Sequence, residues 1–173
     1  MQLFLIRHPA PRVAAGTCYG RSDLPLAEDV AAAAARITPH LPPGLPVYSS
    51  PLQRCRLLAA ALHPMPRCDP RLQEMHFGAW ELTPWQEIQR EALDGWAADP
   101  LGYAPPGGES VAELQARVHE FIGDLRRLGI GRAVLVTHAG VIKVLTGLER
   151  RLPPREWMAL GFAYESVNCV TLT

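Results

Sequence analysis

Lysine is nearly missing from this chain: Lys143 is the single lysine among 17 basic residues, and the rest are arginines. That bias carries no functional inference by itself. Net charge is missing too, since 17 acidic residues balance the 17 basic ones. A neutral chain lacks the clustered cationic excess that displaces phosphate counterions, which excludes a broad nucleic-acid footprint but leaves room for one local anion pocket. Cysteine is sparse. Cys18, Cys55, Cys68 and Cys169 are widely spaced and form no C-x-x-C pair, so neither a zinc site nor a thioredoxin-like motif is indicated, and a reducing compartment fits. No apolar run reaches membrane-spanning length and no basic-then-apolar leader opens the chain. The expectation is a soluble, cytoplasmic protein without a membrane partner.

What is present suits a globular domain. The chain has 173 residues, 48% hydrophobic and 20% charged, enough for one well-buried core and too few for two ordinary domains. We therefore expect one domain over residues 1–173. Compact apolar runs at 2–7 (QLFLIR) and 133–137 (AVLVT) read as buried strands, with further strands at 45–50, 67–72 and 167–172. Between them lie helical stretches. The alanine-rich segment 27–38 has high helix propensity, and Pro51 suits the first turn of a helix over 51–62. Thr83 and Pro84 predict a helix start for TPWQEIQREALDGWA. Val111, Leu114, Val118, Phe121, Ile122 and Leu125 recur at helical spacing up to a stop at Gly129. Further helical segments are expected after His138 and around 155–160. Strands alternating with helices predict an α/β/α sandwich around a mostly parallel central sheet.

In such a sheet, ligands collect at the carboxyl ends of the strands. Arg7 and His8 end the first strand, Arg54 follows the second in SSPLQRC, and His138 ends the VLVT strand. Two permanently charged, planar guanidinium groups and two histidines then face one edge, beside helix N-termini that add anion-binding capacity. This set describes a phosphate pocket. A neutral His8 imidazole could serve as donor or as nucleophile. Glu74, in LQEMHFGAWE, is the candidate proton donor to a leaving oxygen, and Glu81 competes with it.

The segments LIRH, YGRSDLPL, SSPLQRCRLLA, RLQEMHFGAWE, PPGGESVAELQARV and VLVTHAGVIK occur in an order and spacing that resembles the histidine phosphatase superfamily, in its phosphoglycerate mutase-like branch. The likeness runs from residue 3 to about residue 146. It implies a phosphoglycerate mutase-like sandwich and a phosphohistidine mechanism that needs neither metal nor other cofactor. His8 would be the nucleophile, with Arg7, Arg54 and His138 as phosphate ligands. Glu74 would be the proton donor and later the base toward water. Within that branch, the short chain and the segments CYGRSDLPLAE and EMHFGAWE look most like alpha-ribazole phosphatases of cobalamin biosynthesis, and unlike the longer mutases. The partner implied is a small phosphate monoester, with Tyr19 and Arg21 expected to contact its leaving group. The exposed surface of the final helices could form a homodimer.

One stretch departs from the family's usual pattern. R-H-G-E-T followed shortly by asparagine is replaced here by RHPAPRVAAG. Pro9 lacks a backbone donor and holds His8 extended, an arrangement that would fix the imidazole. Ala14 or Ala15 stands near the position of the missing asparagine, leaving Arg12, Arg21 or Ser22 as substitutes. Two alternatives to the ribazole ester follow. One keeps the chemistry with a phosphosugar, a phosphoserine-like metabolite or phosphohistidine; the other is a binding pseudoenzyme. Retention of His8, His138 and Glu74 argues for turnover. A metal held by His8, His76, His138 and Glu74 is disfavoured because the arginines would repel a cation. Trp85, Trp96 and Trp157 read as packing residues, and His40, His63 and His119 as surface positions.

Overall fold

Burial on both faces of the strands shows how the molecule is layered. A computed structural model describes all residues, 1–173. Strands β1 (Gln2–Arg7), β2 (Val47–Ser49), β3 (Arg67–Cys68), β4 (Arg132–Thr137) and β5 (Val167–Thr171) form one sheet in the order β3-β2-β4-β1-β5. The first four are parallel and β5 runs antiparallel at the edge, against β1. Leu3, Leu5, Tyr48, Ala133 and Leu135 point to one face, packed against helices α4 (Val111–Arg127) and α5 (Ala139–Glu149). Ile6, Val47, Val134 and Val136 point to the other, packed with α1 (Val30–Ile37) and α2 (Gln53–Leu62). Both faces are covered, which explains why the strands lack polar alternation. Short helices α3 (Arg90–Ala98) and α6 (Pro154–Trp157) complete the set. The expected three-layer sandwich is the observed one. None of its helices is long and apolar enough to cross a membrane.

Helix α4 forms as its sequence dictates. Ser110 accepts from the Glu113 N–H and Glu113 accepts from the Ser110 N–H, a reciprocal cap. The six apolar residues at helical spacing are all buried, each contributing about 2 kcal/mol on area grounds. Elsewhere the local expectations are displaced. Thr83 does not cap a helix: its carbonyl accepts from Cys18 N–H, while Trp85 N–H donates to Gly16, so the segment runs extended against the 16–18 loop. Only a 3-10 turn, Trp85–Glu87, forms there, and α3 starts at Arg90. Helix α2 begins after Leu52 rather than at Pro51, and the Gln53 N–H is capped from a distance by Asp23 at 2.7 Å. The strand expected over 67–72 stops at Cys68, because Asp69 caps a 3-10 turn over Pro70–Leu72.

Candidate active site

Sheet order places the chemistry. Strand β4 lies between β2 and β1, with Arg7 level with Thr137 and Ser49 level with Val136. The residues just past these ends, His8, Ser50 and His138, therefore converge on one edge. His8 and His138 are almost entirely buried, with ring centroids 5.0 Å apart. The His8 Nδ1 lies 2.6 Å from the Pro9 carbonyl, and Arg54 Nε donates to His8 Nε2 at 3.3 Å. These partners assign the proton to Nδ1 and leave the Nε2 lone pair as the reactive one. Burial first, then the Arg54 guanidinium, lowers the His8 pKa to about 3 against the opposing Pro9 bond. Burial, then His8, also holds His138 well below the ordinary histidine range. Both rings are neutral near pH 7.

Arg54 is fully buried, its outer nitrogens donating to Ser22 O at 2.7 Å and Gly20 O at 2.6 Å. Arg7 donates to Phe162 O at 2.6 Å, yet its buried Nε has no partner. An unpartnered cationic donor beside a neutral histidine is suited to receive an anion. His138 Nε2 lies 2.8 Å from Ser50 Oγ. Across the top lies a residue that the sequence did not single out. Tyr164 stacks on the Arg7 guanidinium at 3.9 Å, its ring is 5.6 Å from that of His8, and its hydroxyl meets that of Tyr19 at 2.8 Å. Tyr19 itself sits by the Arg54 guanidinium at 5.3 Å. No local signal marks Tyr164, which is 145 positions from Tyr19.

Glu74 and Glu81 occupy different settings. Glu74 accepts from Met75 N–H at 2.9 Å and from Gly140 N–H, in the first turn of α5, at 3.1 Å. A side chain at Gly140 would collide with that carboxylate. Glu81 accepts from the backbone N–H groups of Arg21, Ser22 and Phe77 and from the Ser22 hydroxyl. It is thus a loop clamp. Of the residues expected to substitute for the absent asparagine, Ser22 donates its hydroxyl to Glu81 and Arg12 is exposed. The Arg21 guanidinium pairs with Glu109 at 3.1 Å and reaches Glu74 O at 3.3 Å, so it braces the segment that carries Glu74. Arg117 reinforces that brace, pairing with Glu109 at 2.6 Å and donating to the carbonyls of Arg71, Gln73 and Glu74. Glu109 and Arg117 are further residues that sequence reasoning missed.

His76 is partly exposed and lies 3.9 Å from Glu81, outside the His8 and His138 pair. No three His, Cys, Asp or Glu side chains come together as a metal site. A polar hollow of about 410 Å³, lined by His119 and Arg126, contains none of the residues around His8. A family model for the histidine phosphatase superfamily (branch 1) matches residues 3–173.

The chain belongs to the histidine phosphatase superfamily. It is 31% identical to glucosyl-3-phosphoglycerate phosphatase of Mycobacterium tuberculosis over 92% of this chain and 80% of the relative. It is 29% identical to adenosylcobalamin/alpha-ribazole phosphatase of Salmonella typhimurium, over 84% of this chain and 77% of the relative. The crystal structure of phosphoglycerate mutase from Thermus thermophilus superposes with a TM-score of 0.73 at 36% identity, covering 86% of this chain and 84% of that one. The sandwich is accordingly phosphoglycerate mutase-like, and this histidine phosphatase is a phosphoric monoester hydrolase.

Proposed function

We propose that the enzyme cleaves its ester through a phosphohistidine at His8 Nε2, with alpha-ribazole 5'-phosphate as the substrate. The observation that carries the mechanism is the tautomer of a neutral, buried His8, tied by Nδ1 to Pro9 with Nε2 toward Arg54. Nε2 attacks phosphorus and the P–O ester bond breaks in line, while Arg7, Arg54 and His138 stabilise the equatorial oxygens. Glu74 gives its proton to the leaving oxygen. In the second step Glu74 takes a proton from water, the resulting hydroxide attacks phosphorus, the P–N bond breaks, and phosphate departs. Tyr19 and Tyr164 close the top of the pocket beside His8. Arg21 acts as a positioning residue through the Glu74 segment.

The ribazole reading is supported by CYGRSDLPLAE and EMHFGAWE and by the Salmonella relative. The mycobacterial relative, matched over more of this chain, favours a second reading, a sugar-linked phosphoglycerate. Phosphate release from both esters and from phosphoserine, with EDTA present, separates them. A dominant activity on the ribazole ester, lost in His8→Ala, is expected. Preference for the glycerate ester would replace the substrate and keep the mechanism. Turnover retained by His8→Ala would remove His8 as nucleophile.

A further inference from the structure

The Glu74 carboxylate also lines a second space. A cavity of about 200 Å³ begins at Glu74, Ala139 and Gly140 and runs between α3, α4 and α5; ten of its thirteen lining residues are hydrophobic. Phe77, Trp85, Trp96, Trp157 and Met158 are among its wall residues, and Glu74 and Lys143 are its charged groups. Trp85 and Trp96 are parallel within 7°, with centroids 6.0 Å apart, and Phe77 stands edge-on to both. Such walls favour flat rings. The Trp96 Nε1–H is buried and has no acceptor in the protein. The Lys143 ammonium is engaged by the Met158 carbonyl at 2.8 Å.

We propose that this cavity is the leaving-group subsite and that it takes a planar, uncharged ring system. The inference rests on the proton-donor role proposed for Glu74: the oxygen that Glu74 protonates must lie against its carboxylate, so the group attached to that oxygen extends to the carboxylate's other surroundings. Size agrees. An apolar cavity of about 150 Å³ accommodates benzene, and this one is larger by enough for a fused second ring. Polarity agrees as well, because most of the lining is apolar and the Lys143 ammonium is already engaged by the Met158 carbonyl.

The test uses two primary alkyl esters whose leaving oxygens are of similar basicity, 2-naphthylmethyl phosphate and glycerol 3-phosphate, together with benzimidazole as a phosphate-free probe. Met158 is at the partly exposed rim, so Met158→Trp fills the cavity from outside without disturbing the core. The ratio of kcat/KM for the naphthyl over the glycerol ester is expected to fall about tenfold or more in this variant, the scale at which one methylene's fit in an apolar pocket discriminates. Calorimetry should show benzimidazole binding to the wild type, weakened by Met158→Trp. An unchanged ratio, or no binding of benzimidazole at millimolar concentration, would overturn the subsite. Binding without turnover of either ester would overturn the phosphatase chemistry proposed above, and with it the leaving-group role. Turnover of both esters at equal rates would overturn only the subsite.

Discussion

A neutral histidine pair at the bottom of an arginine-lined pocket has a thermodynamic signature. His8 is held at a pKa of about 3 instead of 6.5, and His138 is also lowered, both chiefly by burial. Below pH 6.5 the unfolded chain takes up protons at both sites while the folded chain does not, so stability falls as pH falls. Each histidine contributes a slope of about 1.4 kcal/mol per pH unit once its unfolded form is protonated. Between roughly pH 6 and pH 4, denaturant melts should show this loss, and His8→Gln should remove one proton's share of it. A flat profile would contradict the burial of two neutral rings. The acid can be tested at the same scale. Glu74→Gln should lower kcat by about a hundredfold or more for alkyl esters and far less for aryl phosphates, whose leaving groups need no proton. A small, uniform loss would move the acid role away from Glu74.

Between residues and the whole lies the segment 71–76, which carries Glu74 but has little regular structure beyond a 3-10 turn. Its position is imposed from α4 and the preceding loop, where Arg117 and Glu109 form an ion pair with side chains only 14% and 12% exposed. Removing Arg117 leaves Glu109 with the Arg21 pair alone and strips the Arg71, Gln73 and Glu74 carbonyls of their donor. Arg117→Met should therefore cost about 3 kcal/mol of stability and, unlike a purely structural lesion, should lower kcat more for alkyl than for aryl esters. Equal losses for both classes would reduce Arg117 to a structural role. Legibility in the sequence followed the same division. The periodic α4 and the apolar β1 and β4 could be read because burial patterns are local; the stretch 83–89 could not. Thr83 has the right chemistry for a cap, but Cys18 N–H claims its carbonyl from across a loop.

Over the whole molecule, strand order joins the parts of the site, so ligand binding and folding are coupled. An anion that binds only the folded pocket stabilises it by about 2.7 kcal/mol at a hundred times its Kd. For a chain of this size that corresponds to a Tm increase of roughly 5–10 °C. Inorganic phosphate at that ratio should produce the shift, whereas EDTA should change neither Tm nor turnover. A loss of activity on chelation would overturn the metal-independent mechanism.

Much of this placement was determined by sequence alone, because Arg7, His8, Arg54 and His138 sit at strand ends or the start of a helix, where local pattern fixes which side chains reach the sheet's edge. The pairing of β4 with both β1 and β2 then decided that the two histidines meet. Contacts between distant segments decided the rest: Tyr164 over Arg7, the Arg21, Glu109 and Arg117 brace behind Glu74, the commitment of Glu81 to a loop, and the aromatic cavity beside the acid. These depend on side chains meeting across long loops. No local periodicity records such meetings; burial and hydrogen-bond satisfaction select them only once the sheet and its covering helices have closed.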